Sequence, residues 1–198
     1  MSDPHMHERR FHGAPDRLRS FERVALLEVE RVVALSVEGL AIKSVLDVGT
    51  GTGVFAEAFF KLAPRVTGID TNAELLAAAR GYVPKGQFLE APAEEIPFED
   101  ASFDLVFLGH VLHETDNPLE ALKEARRVAQ SRVVVLEWPY RQDEQGPPLE
   151  HRLRPSAIED LAGKAGFRKV ESIQLAHMDL YRLAPNASLN PPRRRVRP

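Results

Sequence analysis

The chain has no cysteine, and this absence excludes several chemistries at once. Without any cysteine among its 198 residues, it has no disulfide framework, no thiolate metal site and no cysteine nucleophile. Long hydrophobic runs are missing as well, because no stretch approaches the ~18 consecutive apolar residues of a membrane-spanning helix. The opening sequence "MSDPHMHERRFHG" also lacks the apolar core of a signal peptide. We therefore expect a cytoplasmic protein without a membrane partner.

An excess of charge of either sign is lacking too. The formal net charge is only −3, which creates no field that would attract nucleic acid or an anionic membrane. The basic run "PRRRVRP" at residues 192–198 is short, and terminal charge runs of this kind are usually solvated. No basic face interleaved with aromatic side chains is present. We expect a small-molecule partner and no nucleic acid, and the composition indicates no particular oligomeric state.

The chain divides into an arm, one domain and a tail. Residues 1–16 are rich in His, Arg, Pro and Gly and are predicted to form a mobile arm. Residues 17–184 have the length and apolar content of a single α/β domain, and they begin with a helical pattern over 17–40. Residues 185–198 contain too little apolar surface to pack, which predicts a disordered basic tail.

Strand and helix patterns alternate through the domain. The predicted strands are 44–48, 65–70, 86–91, 103–109, 131–138, 168–176 and 177–184, and the helices between them are 53–63, 71–82, 117–130 and 155–167. This alternation predicts an α/β fold with a doubly wound, mostly parallel sheet and helices on both faces. The last two strands are almost contiguous, and a parallel crossover needs a dozen or more residues. The final strand is therefore predicted to be antiparallel.

A glycine-rich turn follows the first strand. "SVLDVGTGTGVF" at residues 44–55 places Gly49, Gly51 and Gly53 where a strand gives way to a helix, so that backbone can approach a ligand and helix amides can face it. "GTGVFA" also satisfies the dinucleotide pattern G-x-G-x-x-A, and Asp70 stands 19 residues after Gly51, where a ribose-binding acid belongs. The glycines alone leave both interpretations open.

Asp47 favours a cofactor with a positive end. Its carboxylate stands directly before the glycines, where it would repel a pyrophosphate and attract an ammonium group. The chain is also too short for the substrate domain of a dehydrogenase, and the antiparallel ending is foreign to the usual dinucleotide fold. A ligand with an amino-acid end, a ribose and an adenine fits better.

Several motifs in order carry a family resemblance. "VLDVGTGTG", "GID", "EEIPFEDASFDLVFLGHVLHE" and the terminal strand pair resemble the class I S-adenosylmethionine-dependent methyltransferases of the type 11 subgroup, over roughly residues 18–184. The resemblance implies a seven-stranded Rossmann-like sheet in the order 3-2-1-4-5-7-6, with strand 7 antiparallel. It also implies that segment 17–40 is a lid or a covering helix.

The resemblance further implies cofactor-binding roles. Asp47, Gly49 and Gly51, with Thr50 in the same loop, would hold the methionine end, and Gly53 would begin the next helix. Asp70 would accept from both ribose hydroxyls and Thr71 would line the adenine pocket. Leu108, Gly109 and His110 would lie beside the sulfonium.

One position departs from the family pattern. Where the family often has Asp-Ala before the next motif, this chain reads "EAPAEEIPF" and places Pro92 there, so a side-chain acceptor for the adenine amino group is lost. The backbone amide of Ala93 remains available to a ring nitrogen. Glu94 either replaces the missing carboxylate or is a solvated surface acid. Since one hydrogen bond contributes only about 0.5–1.5 kcal/mol net, cofactor binding is expected to persist.

Residues for methyl transfer are expected in the loops after strands 4 and 5. In "GHVLHE", His110 and His113 are candidates for a base or for orienting an acceptor, and otherwise cap the turn or pack on the cofactor. These two with Glu114, Asp116 and His151 have metal-ligating side chains, but no metal-binding spacing, so no metal is predicted.

Further substrate contacts are expected around the loop 139–152. Trp138 and Tyr140 are candidate walls, His151 and Arg152 candidate contacts to an anion or acceptor, and Phe21 a candidate from the N-terminal segment. The alternative for each is packing or solvation.

We predict an S-adenosylmethionine-dependent methyltransferase that moves a methyl group to a small-molecule acceptor by direct displacement and releases S-adenosylhomocysteine. The alternative is a non-catalytic S-adenosylmethionine-binding sensor or partner subunit, which Pro92 and the lack of an obvious base keep open. An NAD-dependent oxidoreductase is the third interpretation.

Overall fold

The computed structural model describes residues 15–185. The predicted arm over 1–16 and the predicted tail over 185–198 lie almost wholly outside these residues. Within them, no helix has both the length and the apolar character needed to cross a membrane.

The core is one seven-stranded sheet in the order β3-β2-β1-β4-β5-β7-β6. Its strands are β1 (Ser44–Val48), β2 (Arg65–Asp70), β3 (Gln87–Glu90), β4 (Phe103–Gly109), β5 (Ala129–Glu137), β6 (Lys169–Gln174) and β7 (Asp179–Ala184). Strands β1 to β5 pair in parallel, and β7 runs antiparallel to both β5 and β6. The predicted fold class, strand order and antiparallel ending are confirmed.

Seven α-helices accompany the sheet within residues 15–185. They are α1 (Pro15–Leu18), α2 (Phe21–Leu26), α3 (Val29–Val37), α4 (Val54–Phe60), α5 (Ala73–Tyr82), α6 (Pro118–Val128) and α7 (Pro155–Lys164). Asn72 and Asn117 begin α5 and α6 by accepting backbone N–H bonds through their side chains. The four helices after β1 were expected from the sequence, and all four lie within the predicted limits.

The prediction of one helix over 17–40 is wrong, because this segment forms three short helices. The Ser20 side chain caps α2 by accepting from the Arg23 amide at 3.3 Å, so the chain restarts there. Glu28, between α2 and α3, has a left-handed backbone with φ +46°, which ends a helix. Of these three helices, only α3 contains buried side chains.

Two apolar clusters show that helices cover both faces of the sheet. Alternate residues of β4 belong to different clusters: Leu105 and Phe107 to one, Val106 and Leu108 to the other. The first cluster includes residues of α3, α4 and α5, and the second those of α6 and α7. The carboxyl ends of the parallel strands are thereby left open for a ligand.

Candidate active site

A cavity of about 990 Å³ lies at the carboxyl ends of the parallel strands. Its walls come from α1, α2 and the segments that follow β1, β2, β3, β4 and β5. The lining residues are Arg17, Leu18, Arg23, Gly49, Gly51, Asp70, Thr71, Asn72, Ala73, Glu74, Leu75, Ala91, Ala93, Glu94, Gly109, His110, Val111, His113, Glu114, Thr115, Trp138, Gln145, Gly146, Pro147, Pro148 and His151.

The glycine loop forms one side of this cavity. Gly49, Gly51 and Gly53 have φ of +67°, +54° and +77°, a region that favours glycine. A Cβ on Gly49 would lie 2.6 Å from the Val111 side chain, so close packing of the chain on itself also requires this glycine. Gly53 lies outside the lining and begins α4. The bare backbone thus serves the turn and its packing as well as the cavity.

Asp47 lies behind the loop. It is 2% exposed, and its Oδ2 accepts from the Thr50 hydroxyl at 2.7 Å. Burial raises the pKa of Asp47 to about 7, against the Thr50 hydrogen bond and with a contribution from the charge of Asp70. Neither Asp47 nor Thr50 is among the residues lining the 990 Å³ cavity, although Thr50 borders a small annex of about 60 Å³ beside it.

Asp70 ends β2 on the cavity wall. Its Oδ2 accepts from the Gly51 amide at 2.8 Å and its Oδ1 from the Asn72 amide at 2.9 Å. Burial raises the pKa of Asp70 in spite of these backbone bonds. The amide of Thr71 also contributes a hydrogen bond to this carboxylate, which backbone amides therefore hold in place. Thr71 follows in the same wall.

The segment after β3 contributes Ala93 and Glu94. Both residues were predicted to bind adenine, and both line the cavity. The Oε1 of Glu94 accepts from the amides of Asp116 and Asn117 at 2.9 and 3.2 Å, and so ties this segment to the start of α6. Glu94 is therefore not a free surface acid, and its contact with adenine stays a prediction.

His110 follows β4 with an unusual backbone and an unpartnered ring. Its φ is +58°, and its amide donates to the Leu136 carbonyl at 2.9 Å. The ring is 5.1 Å from that of Trp138, and both ring nitrogens are buried without a hydrogen-bond partner. Burial, and then the charges of Arg23 and His113, hold the pKa of His110 well below 6.5. His110 and Gly109 line the cavity, whereas the predicted cofactor contact Leu108 is fully buried and is not among the lining residues.

His113 lies in a 3-10 turn, Leu112–Glu114, and is paired with a carboxylate. Its Nδ1 lies 2.7 Å from Oε2 of Glu137, and its amide donates to Oε1 of the same residue at 3.2 Å. Burial opposes a charged ring, but Glu137 and then Glu114 outweigh it, and the pKa of His113 is raised. Within residues 15–185, no three potential metal-ligating side chains form a cluster.

Glu137 is a residue that the sequence analysis missed. A signal was present, because an acid directly ends the apolar run "VVVL" of β5, much as Asp47 interrupts β1. Such an acid is buried with the strand and needs a partner.

Of the predicted substrate contacts in and beside the loop after β5, only some line the cavity. Trp138 and His151 line the cavity, whereas Tyr140 and Arg152 do not. Arg152 donates to the carbonyls of Pro139, Arg141, Gln145 and Pro147, so its guanidinium organises the loop. Tyr140 stacks with Arg154, whose Cζ is 4.2 Å from the ring centroid. Phe21, 85% exposed, is also outside the lining, and its substrate contact stays a prediction.

Arg17 from α1 and Arg23 from α2 also line the cavity, and the sequence did not predict this. Burial lowers the pKa of Arg23, while the charge of Glu114 opposes this effect. Leu18 lies over the glycine loop, with its Cδ1 3.3 Å from the position of a Cβ on Gly51. Helices α1 and α2 therefore cover the cavity, and no local sequence pattern marks their lining residues.

This strand order, the antiparallel β7 and a cavity bordered by a glycine loop and an acid at the end of β2 define the class I methyltransferase fold. Residues 46–136, a little under half of the chain, match the type 11 family model described as "Methyltransferase domain", so this segment is similar to type 11 methyltransferase domains.

Comparisons with individual proteins agree with this assignment. A demethylmenaquinone methyltransferase of Chlorobaculum tepidum is 40% identical over 92 residues, which are 46% of this chain and 38% of that protein. A ubiquinone/menaquinone biosynthesis C-methyltransferase UbiE of Hahella chejuensis is 36% identical over 106 residues, covering 48% of this chain and 43% of that protein. The chain thus spans less than half the length of these curated relatives.

A solved structure extends the similarity of the fold beyond the matched region. A SAM dependent methyltransferase from Aquifex aeolicus has a TM-score of 0.78 and 23% identity, covering 88% of this chain and 100% of that chain. At this identity the similarity concerns the fold.

Proposed function

We propose that this protein binds S-adenosylmethionine and transfers its methyl group to a small-molecule acceptor. The observation that carries the proposal is Asp70, whose two oxygens are oriented by the Gly51 and Asn72 amides at the edge of the cavity. A carboxylate held in this way at the cavity edge can also accept hydrogen bonds from the hydroxyls of a ribose.

The other walls suit the remaining parts of the cofactor. Thr71, Leu75, Ala91 and Ala93 line the part of the cavity that suits an adenine. Gly49, Gly51 and Gly109 leave room for the methionine end, and Asp47 behind them supplies a carboxylate that favours an ammonium group nearby. The two ring nitrogens of His110 have no hydrogen-bond partner within residues 15–185, so they remain available for hydrogen bonds to a ligand. The residues therefore fit this group.

When bound, S-adenosylmethionine supplies a methyl group already activated for displacement. The chain then has to hold the acceptor in line, exclude water and deal with any proton that the acceptor loses. The covering helices α1 and α2 exclude water, and His110, Trp138 and His151 lie on the wall available to an acceptor. A cavity of about 990 Å³ is at the upper end of the ~300–1,000 Å³ usual for ligand sites, which supports a second small molecule beside the cofactor. The names of the curated relatives support a small-molecule acceptor as well.

Calorimetry with S-adenosylhomocysteine tests this proposal. We expect the wild-type protein to bind S-adenosylhomocysteine and not NAD. Asp70→Ala should weaken binding at least about 100-fold, because the variant loses both ribose bonds and the carboxylate that positions the loop. Asp160→Ala, the same change at an exposed position on α7, should bind like the wild type. Binding of NAD, or equal affinity in Asp70→Ala and the wild type, would overturn the proposal.

A further inference from the structure

We propose that His113, positioned by Glu137, takes the proton of a hydroxyl group on the methyl acceptor, so that the acceptor class is a phenol or an enol. This inference rests on the proposed methyltransferase function and assigns a role that cofactor binding does not require. It arises from a buried histidine–carboxylate pair on the acceptor side of the cavity.

The pair has the geometry of a positioned base. Both Glu137 oxygens are engaged by His113: Oε2 at 2.7 Å from Nδ1, and Oε1 at 3.2 Å from the amide. These residues are 1% and 4% exposed, respectively, so water competes little for either bond. An acceptor carboxylate at Nδ1 keeps the proton on that nitrogen, which leaves Nε2 as the basic nitrogen of a ring that lines the cavity.

The charges around the ring favour uptake of a proton. Glu137 faces it from the end of β5, and Glu114 in the same turn has Oε1 at 3.9 Å from Nε2. Arg152 from the loop after β5 acts in the opposite direction. Burial also disfavours the charged ring, yet the carboxylates prevail and the pKa of His113 is raised. A base with a pKa nearer that of a phenol takes its proton more readily.

His110 has the complementary properties. Within residues 15–185, neither ring nitrogen of His110 has a hydrogen-bond partner, and its pKa lies well below 6.5 because the ring is buried. This neutral imidazole can orient a hydroxyl by a hydrogen bond but does not retain a proton. Of the two histidines after β4, the base is therefore assigned to His113 and the orienting contact to His110.

The proton and electron balance is simple. The acceptor O–H bond breaks, its proton goes to Nε2 of His113, and the electron pair stays on the acceptor. That pair, on oxygen or delocalised to a ring carbon, forms the new bond to the methyl group, while the cofactor sulfur keeps the pair of the broken carbon–sulfur bond. The imidazolium is stabilised by Glu137 until its proton leaves to solvent.

Nuclear magnetic resonance of the free protein tests the pair without any substrate. His113 ring signals, assigned by their loss in His113→Gln, should show the Nδ1–H tautomer and a pKa above the ordinary 6.5. Glu137→Gln should lower that pKa and weaken the tautomer preference. The exposed His177 provides an internal reference, and Glu30→Gln, at an exposed position on α3, controls for the loss of one negative charge. An Nε2–H tautomer, or a His113 pKa unchanged by Glu137→Gln, would refute the pairing.

Kinetics test the chemistry. With S-adenosylmethionine and 1,4-naphthalenediol as the probe under anaerobic conditions, formation of S-adenosylhomocysteine is followed against pH. We expect Glu137→Gln and His113→Gln each to lower kcat by roughly 100- to 10,000-fold and to remove the acidic limb of the profile, with little change in KM. Because the two act as a unit, the double variant should be no slower than His113→Gln alone.

Binding measurements separate this proposal from the previous one. Both variants should keep the wild-type affinity for S-adenosylhomocysteine, although each should unfold at a lower temperature because the buried pair loses one partner. If the wild type does not bind S-adenosylhomocysteine, the methyltransferase function itself fails. If it binds but transfers no methyl group to the probe, the acceptor class is wrong, and if the variants turn over as fast as the wild type, His113 is not the base.

Discussion

Asp47 and Asp70 have the same side chain at the ends of two neighbouring strands, but their surroundings differ. Asp70 accepts two backbone amides on the cavity wall, whereas the side-chain partner of the fully enclosed Asp47 is the Thr50 hydroxyl. Burial raises the pKa of both, and that of Asp47 reaches about 7. Ionising Asp47 in the folded protein is therefore costly.

The stability of the protein should consequently depend on the titration of Asp47. Its pKa is about 7 when folded and about 4 when unfolded, so the folded state binds the proton more tightly and stability falls as pH rises between these values. Asp47→Asn removes this loss. Its free energy of unfolding, relative to the wild type, should rise by about 3 kcal/mol from about pH 5 to about pH 8.

Urea denaturation across this pH range measures the difference. Asp160→Asn, on the exposed face of α7, should show none. A difference between Asp47→Asn and the wild type that stays constant with pH would mean that Asp47 ionises normally in the folded protein.

Single site residues could be predicted from the sequence where a fixed number of residues separates them from a recognisable motif. Asp70 was found because a fixed number of residues separates it from the glycines, and it does lie on the cavity wall. Arg152 was assigned a possible ligand contact because its side chain is charged, but four backbone carbonyls surround it. Which partner a guanidinium finds depends on the path of the loop, and one sequence does not specify that path.

At the scale of elements, the loop 139–152 depends on one side chain. It contains no strand or α-helix, and the guanidinium of Arg152, at its end, donates to four carbonyls in its first part and its middle. The backbone of Gly146 packs against Trp138, since a Cβ there would lie 2.6 Å from the indole. Trp138, the only tryptophan of the sequence, therefore reports on the order of this loop.

Replacing Arg152 should disorder the loop. Arg152→Met deprives four carbonyls of their donor, and we expect a loss of about 3 kcal/mol in the free energy of unfolding. The fluorescence of Trp138 should shift to the red as water reaches the indole. Arg154→Met, which removes an exposed arginine stacked on Tyr140, should leave the emission maximum unchanged, and a red shift of equal size there would contradict a specific role for Arg152.

The N-terminal helices show what periodicity predicts and what it does not. Leu18, Phe21, Ala25, Val29 and Val32 follow a helical spacing, and the segment is helical. The pattern specifies the type of local structure, whereas continuity depends on caps and on single φ values. The cap at Ser20 and the left-handed Glu28 interrupt it, and hydrophobic spacing contains no record of either.

For the whole molecule, the covering helices are attached to the domain at two places. Arg19 donates to the Thr52 carbonyl at 2.9 and 3.2 Å, pairs with Glu57 at 2.8 Å and lies 3.5 Å from the centroid of the Tyr82 ring. Further along, Glu28 accepts from the amide of Ala176 at 2.8 Å. The cover is thus joined to α4, to α5 and to the segment before β7.

Loosening the first attachment should speed the exchange of a bound ligand. We expect Arg19→Met to weaken S-adenosylhomocysteine binding about tenfold, mainly through faster dissociation, because the ion pair and its hydrogen bonds hold the cover closed. Stopped-flow fluorescence of Trp138 measures the rate. Lys61→Met, which removes an exposed cation, is the control, and a dissociation rate unchanged by Arg19→Met would show that the cover does not limit release.

The architecture was more predictable than the cavity. Strand order and direction follow from apolar runs, glycine turns and the length of each connection, and these are local in sequence. The cavity combines Arg23, Glu74, His113 and Gln145 from separate segments, and their juxtaposition arises only when the sheet is assembled. Glu137 illustrates the difference, because its position at the end of β5 was predictable and its contact with His113 was not.

The place of β7 in the sheet has a consequence for biosynthesis. Every residue that lines the cavity, from Arg17 to His151, is translated before β6 and β7, yet β7 is the neighbour of β5 on its outer side. While the chain is still on the ribosome, β5 therefore has an open edge with unpaired N–H and C=O groups, to which another chain can add. A nascent chain paused between His151 and Asp179 would possess all the lining residues of its ligand cavity and still lack the strand that closes its sheet, so ligand binding and protection from misassembly are acquired at different moments of synthesis.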